Sequence, residues 1–301
     1  MKKWRSLLSR LKERPLRQAI RRKALQMAAF GFTNADLGNF ARGVINKGPW
    51  KKFCAPGMNC YSCPAARFAC PIGALQAVGG SMNFRFSFYV VGFLLAVGVL
   101  IGRLVCGFLC PFGLLQELLH KIPTKKFHLW KPLRYVKYVF LAVMVFLLPV
   151  MATDFLGMGD PWYCRLICPV GTLEGGIPLL AANESLQRLA GPLFWWKIFL
   201  LAVTVVFSVL ICRFFCKVGC PLGAFYGLLN RFSAYHLEVD DDKCIRCGRC
   251  ERECPMEIDP TKTPNSPECI RCGHCRAICP AEAICFRFGY GGKGNKIKKE
   301  P

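Results

Sequence analysis

Two closely similar runs constrain this 301-residue chain more than anything else in it: CIRCGRCERECP from Cys244 and CIRCGHCRAICP from Cys269. Each spaces its thiols C-x2-C-x2-C-x3-C-P. Three thiolates at that spacing can wrap one iron–sulfur cubane, while the fourth, past a turn set by proline, reaches the neighbouring one. The spacing predicts one [4Fe-4S] cluster on Cys244, Cys247, Cys250 and Cys279 and a second on Cys269, Cys272, Cys275 and Cys254. Gly248 and Gly273 should let the loop backbone approach the inorganic core. Zinc accepts C-x2-C pairs in tetrahedral sites, yet eight cysteines in this order, with Pro255 and Pro280, favour cubanes.

The remaining cysteines, from a total of twenty, sit in a basic and apolar background. The formal charge is +23, from 41 Lys and Arg against 18 Asp and Glu, while 53% of residues are hydrophobic and mean hydropathy is +0.30. A nucleic-acid binder can be as basic but would not carry long apolar runs, so no nucleic-acid partner is expected. The runs 86–104, 135–153 and 193–211 approach the ~20 residues of helix that cross a hydrocarbon layer. Arg103 ends the first run where its stem can snorkel, and Lys137 and Lys197 near the starts of the other two, with Tyr135, Tyr138, Trp195 and Trp196, suit an interface. Residues 24–43 are interrupted by Asn34, Asp36, Asn39 and Arg42, so they either cross or lie amphipathic on the surface.

Charge in the connections sets an orientation. Residues 105–134 with Lys137 hold six Lys or Arg against Glu117, whereas 154–192 hold Arg165 and Arg188 against four acids. The first connection and the C-terminal residues are therefore expected in the cytoplasm. A basic N-terminus on the same side requires 24–43 to cross, which gives about four spans. The five basic residues and no acids of 47–85 argue against their placement outside. Residues 1–23 carry ten Lys or Arg, one acid and no apolar core, so no export signal is visible.

Within the apolar region a single tetrapeptide recurs four times: Cys70-Pro-Ile-Gly, Cys110-Pro-Phe-Gly, Cys168-Pro-Val-Gly and Cys220-Pro-Leu-Gly. Cys106, Cys164 and Cys216 precede three of them at C-x3-C. GRLVCGFLCPFGLL aligns with CRFFCKVGCPLGAF at the inner ends of spans, and CPIGAL with CPVGTL at the outer side. The chain thus reads as two pseudo-symmetric halves. A C-x3-C pair supplies two ligands and a cubane needs four, so Cys106, Cys110, Cys216 and Cys220 are expected to share a third cluster. Each following proline can open a helix whose N-terminus favours an anion, and Arg103 and Arg213 can further offset its charge. The outer side offers Cys54, Cys60, Cys63, Cys70, Cys164 and Cys168. Cys164 and Cys168 with Cys70 and either Cys60 or Cys63 follow the repeat best. Alternatively Cys54, Cys60, Cys63 and Cys70 suffice alone, and leftover thiols could form a disulfide. Cys212 and Cys285 fit no pattern and read as packed thiols.

The expected architecture is an α-helical integral membrane protein with a C-terminal α+β 2[4Fe-4S] ferredoxin-like domain. Its segments are a basic N-terminus (1–23), a membrane domain (24–230), the two-cluster domain (231–288) and a basic tail (289–301) that can touch anionic lipid. About four stacked cubanes make a one-electron conduit between a cytoplasmic ferredoxin- or flavodoxin-like donor, or quinol, and an extracytoplasmic redox partner. No dinucleotide loop, P-loop or hydrolase triad is present, and none of His120, His128, His236 and His274 lies in an assigned span as a haem ligand must. His120 and His128 read as solvated. Arg246, Arg249, Arg252, Arg271 and Arg276 read as a solvated surface, or less directly as a docking face for an acidic donor. A redox sensor would use the same clusters without sustained turnover, and a metal-reducing maturation factor would need outer ligands such as Met151 and Met158.

CAPGMNCYSCP (54–64), the C-x3-C-P repeats and the two terminal runs together resemble the membrane 4Fe-4S polyferredoxins of the NapH/NosR type over about residues 45–285. The resemblance implies a cytoplasmic-membrane electron-transfer protein, possessing two terminal [4Fe-4S] centres and similar to quinol dehydrogenase membrane components. The flavin-binding extracytoplasmic domain of NosR-like members has no counterpart here, so a separate flavin-binding protein is the expected external partner.

Overall fold

The computed structural model describes residues 2–79, 87–152, 159–188 and 190–289. The expectations for Met158, the end of the second run at Thr153 and the lysine-rich tail lie outside those residues. The chain opens with a 32-residue helix, α1 (Lys2–Thr33), followed by the short α2 (Gly38–Arg42). The segment 24–43 is therefore not one crossing helix. Its side chains explain the break: Asn34 Nδ2 bonds the Phe30 carbonyl (3.2 Å) and Thr33 Oγ1 bonds that of Ala29 (2.8 Å), so polar groups close the last turn.

Helices α3 (Pro71–Gly79), α4 (Ser87–Ile101), α5 (Leu104–Phe108) and α6 (Pro111–Leu119) follow. Then come α7 (Lys131–Met151), with a π-helical stretch at Phe140–Leu147, α8 (Trp162–Leu166) and α9 (169–182). Helices α10 (Glu184–Arg188), α11 (Pro192–Leu210), α12 (Phe214–Val218) and α13 (Pro221–Leu229) complete the helical region. Among the described residues α7 and α11 are long and apolar enough to cross a membrane, while α4, expected over 86–104, is shorter at 15 residues. Their outer faces are apolar and open, with Tyr135, Val139, Phe146 and Val150 exposed on α7 and Trp195, Phe199 and Val206 on α11.

Helix α1 inverts the usual amphipathic arrangement. Gln18, Arg22, Gln26 and Thr33 recur at intervals that put them on one face. That face meets the rest of the protein, whereas Leu16, Ile20 and Met27 point outward and are about 60% exposed (62%, 59% and 58%).

The C-terminal lobe is a two-stranded antiparallel sheet, β1 (Tyr235–Val239) against β2 (Ile284–Phe288), paired from Tyr235↔Phe288 to Val239↔Ile284. Between the strands lie α14 (Arg249–Arg252) and α15 (His274–Ile278). Gly248 and Gly273 precede these helices at φ 68° and 74°, and Arg246 and Arg271 occupy the left-handed region at 51° and 52°, so the two cysteine runs fold alike.

The lobe is bolted to the helical region. The buried Asn230 amide donates to the carbonyls of Ser266 (2.7 Å) and Cys269 (3.1 Å), and its Oδ1 accepts the Arg103 N–H. Arg271, expected in solvent, is 2% exposed and donates to the carbonyls of Ile101 and Asn230. It is a structural crosslink, while Arg246 and Arg249 stay exposed. His128 is exposed as expected, but His120 Nδ1 meets the Val209 carbonyl at the end of α11.

Candidate metal centres

The four Cys-Pro-x-Gly tetrapeptides build one local device. Pro71, Pro111, Pro169 and Pro221 each open a helix, where a missing N–H costs nothing and φ is already helical. The preceding cysteine is the N-cap, and the glycine N–H two residues beyond proline points at that cysteine's own sulfur. Gly73 serves Cys70, Gly113 serves Cys110, Gly171 serves Cys168, and Gly223 reaches Cys220 Sγ at 3.2 Å. A side chain at Gly113 would meet Arg213 Nη1 and the Cys106 carbonyl, both at 3.3 Å. One at Gly223 would meet Arg103 Nη2 at 3.2 Å and the Cys216 carbonyl at 3.5 Å.

Cys106, Cys110, Cys216 and Cys220 come together as buried electrostatic neighbours, although they lie on two segments about a hundred residues apart. Arg103 and Arg213, both fully buried, flank them. Arg213 bonds the Cys106 carbonyl and pairs with Glu117, which also holds Arg22 at 2.7 Å. Arg103 pairs with Glu268 at 3.2 Å, and Lys137 pairs with the other oxygen of that carboxylate. Burial opposes ionisation of Glu117 and Glu268, but Arg213 with Arg22 and Arg103 with Lys137 overcome it and hold both carboxyls below the ordinary range. Among the described residues Arg103 Nε and Nη2 find no hydrogen-bond acceptor. Buried, unpartnered guanidinium donors beside four thiols fit an anionic, sulfide-rich group between them.

The second set lines a cavity of about 860 Å³ that includes Cys54, Cys60, Cys70, Cys164 and Cys168. Cys60, Cys70, Cys164 and Cys168 are mutual electrostatic neighbours, and Cys54 neighbours Cys70. Cys63 is elsewhere, packed with Ala65 and Ala66 and 3.9 Å from Asn34 Oδ1. Glu174 accepts the Cys60 N–H at 2.8 Å, and loss of hydration pushes its carboxyl up to about 7.

These two sets were expected at opposite faces of the bilayer, and the structure instead makes them adjacent. Loop 54–60 lies between them. Gly57 packs on Cys110 Cα with no room for a side chain, and Met58 Sδ stands 3.3 Å from Cys220 Sγ. Consecutive amides serve different sets, Met58 N–H facing Cys110 sulfur and Asn59 N–H facing Cys70. Tyr226 Oη donates to the Pro56 carbonyl, and Tyr163 Oη donates to that of Gly219.

In the C-terminal lobe Cys254, Cys269, Cys272 and Cys275 line one void and are electrostatic neighbours, the set that the spacing assigned. Cys244 neighbours Cys250, Cys279 packs on the same apolar group as Cys250, and Cys247 is exposed. Glu257 joins this lobe to α12 and α7 through Lys217 (3.0 Å) and Arg134 (2.8 Å). Among the described residues no three His, Cys, Asp or Glu side chains close around the volume of a single ion. Cys212 and Cys285 join none of the four-thiol sets.

Helix α1 runs alongside three of the sets. Gln18 Nε2 donates to the Cys272 carbonyl (3.1 Å), Gln26 Nε2 to that of Gly107 (3.0 Å), and the Thr33 carbonyl accepts from Asn59. At ~1.5 Å per residue these contacts are spaced about 12 and about 11 Å along the helix. Sequence reading missed the glutamines of α1 and also Gln76 and Gln116. The signal for the latter pair was visible: both stand six residues after the cysteine of a Cys-Pro-x-Gly element.

Known proteins bear on this arrangement. Residues 86–129, 139–177 and 193–238 match the family described as 4Fe-4S binding domain, and 236–280 match the 4Fe-4S dicluster domain. An uncharacterized protein of Methanocaldococcus jannaschii is 30% identical over 198 residues, covering 64% of this chain and 75% of that protein. The putative electron transport protein YccM of Escherichia coli is 27% identical over 54% of this chain and 44% of its own length. The methylamine utilization ferredoxin-type protein MauN of Paracoccus denitrificans is 29% identical over 54% and 50%. This chain thus spans about half the length of the latter two. No solved structure matches it.

Proposed function

We propose a function from one premise: the chain belongs to the 4Fe-4S polyferredoxin family of the NapH/NosR type. As a ferredoxin-type protein it transfers electrons. The finer reading is a membrane conduit whose C-terminal lobe faces the cytoplasm. It takes electrons from a cytoplasmic ferredoxin- or flavodoxin-like donor, or from quinol, and passes them to an extracytoplasmic, flavin-binding redox protein.

Four cubanes would supply reversible one-electron chemistry. The C-terminal lobe would hold two of them on the sets assigned from spacing. Cys106, Cys110, Cys216 and Cys220 would hold the third, and Cys60, Cys70, Cys164 and Cys168 the fourth, with Cys54 beside it. The observation that carries this reading is the file of thiol sets along α1, whose contacts beside them are spaced about 12 and about 11 Å along the helix. The crossed placement of Arg103 and Arg213, each against the opposite glycine, supports two pseudo-symmetric halves. The open apolar faces of α7 and α11 support a bilayer, with the shorter apolar α4 as a further segment beside them. The residues act by placement: buried arginines balance thiolate charge, and the helices keep water from the sulfurs. Exposure of Cys247 and Ile245 makes the first terminal set the entry point for a protein donor.

The test is anaerobic reconstitution in liposomes with a reductant outside and a trapped acceptor, together with iron, sulfide and EPR analysis. The reading expects about four cubanes and acceptor reduction. Two cubanes confine iron to the C-terminal lobe and defeat the shared sets. Four cubanes without transfer across the bilayer move the protein to redox sensing.

A further inference from the structure

Gln116 and Gln76 are fully buried, and each satisfies every polar atom of its amide in the same way. Gln116 Oε1 accepts the Phe215 N–H at 3.0 Å, while Nε2 meets the Phe112 carbonyl (3.4 Å) and Cys216 Sγ (3.2 Å). Gln76 Oε1 accepts the Tyr163 N–H at 2.9 Å, while Nε2 meets the Ile72 carbonyl (3.1 Å) and Cys164 Sγ (3.3 Å). A backbone N–H can meet only the amide oxygen, so the orientation is fixed and the amide N–H must face sulfur. Two glutamines in the same register thus reach from one half to the first cysteine of the other. The remaining two positions of that register do something else. Glu174 accepts the Cys60 N–H, and the Tyr226 hydroxyl donates to the Pro56 carbonyl.

We infer that Gln116 and Gln76 are positioning residues that raise the reduction potentials of the inner and outer clusters, each through one amide N–H directed at Cys216 or Cys164 sulfur. The inference rests on the ligand sets proposed above. Reduction adds negative charge to cluster and thiolate sulfur, and an N–H aimed at that sulfur stabilises the more negative state. Here the donor is buried and its amide is anchored at both remaining atoms, so it cannot rotate away. Each membrane set receives this donor on one side only, at the thiol contributed by the second half. The carbonyl contacts alone could serve to hold α8 and α12 in place, and that purely mechanical role predicts altered stability with no change in electronic structure.

The experiment uses the full chain carrying its clusters, with 15N placed selectively in glutamine side-chain amides. Pulsed EPR of the reduced wild-type protein should show a nitrogen coupling at each membrane cluster. Gln116→Glu keeps an oxygen for the Phe215 N–H and removes the amide donor, and Gln116→Met removes the donor without adding charge. In both, the inner cluster should titrate at lower potential and lose its coupling while the outer cluster is unmoved. Gln76→Glu and Gln76→Met should do the reverse. Wild-type clusters with no glutamine coupling, or variants that retain iron and titrate unchanged, overturn the inference. Iron confined to the C-terminal lobe would instead sink the ligand sets beneath it, and iron analysis separates the two failures.

Discussion

The C-terminal lobe and the helical region solve the same ligand problem at different chain distances. In the lobe, each set draws three thiols from one seven-residue run and a fourth from its twin. In the helical region, Cys106 and Cys110 need Cys216 and Cys220, which arrive only after α6, α7 and α11 have packed. A local motif can therefore preorganise its loop before tertiary structure exists, through left-handed Gly248 and Gly273. The long-range sets depend on buried polar joints between halves, and they should fail differently when disturbed.

The largest expected effect separates the two regions outright. Cys106→Ser and Cys216→Ser should each remove the same EPR signal and about four irons per chain, leaving both terminal signals. Loss of different signals would break the shared set. Cys250→Ser should instead disturb the terminal clusters alone.

Next comes the joint behind the inner set. Glu117→Ala leaves Arg22 and Arg213 buried without their carboxylate, and removing one partner of a buried pair costs about 3–5 kcal/mol. Denaturant unfolding of the helical region in detergent measures this, and a loss of less than about 1 kcal/mol, as for a surface pair, would contradict it. A smaller contrast compares two glycines. Gly223→Ala should cost ~1–3 kcal/mol because Arg103 and the Cys216 carbonyl stand in the way. Gly248→Ala has open space but a φ of 68°, so only backbone strain of about 1–2 kcal/mol applies. Thermal scans of the two variants, read separately for helical and lobe signals, check the assignment.

The smallest effect is pH-dependent. Glu117 titrates below the ordinary carboxylate range in the folded protein, so its contribution is complete above the unfolded value of about 4.3. It is lost as pH falls through the lower folded value. The stability gap between wild type and Glu117→Gln should therefore narrow on acidification below about 4.3. A gap that widens there reverses the sign assigned to this carboxylate.

The same contrast explains what could be read from sequence. The grouping of Cys254 with Cys269, Cys272 and Cys275 was legible because its chemistry is nearly contiguous, and so was the helix-opening role of each Cys-Pro. Spacing could not choose between Cys60 and Cys63, since the choice depends on which way loop 54–60 folds over Cys110. It also set the two helical thiol sets far apart, because the repeat aligns segments without measuring their separation. Arg271 looked like its exposed neighbours, yet the lobe turns it onto Ile101 and Asn230. Glu117 was counted only as one charge in a connection, although its value lies in Arg22 and Arg213, 95 and 96 residues away.

The joints at Asn230, Glu257 and Glu268 leave the C-terminal lobe no pivot. A carrier that had to swing between donor and acceptor would slow as the medium thickened. On the proposed reading the lobe already rests against the helical thiol sets, so internal passage should proceed at the same pace in dilute buffer and in glycerol, leaving only the encounter with outside proteins sensitive to viscosity.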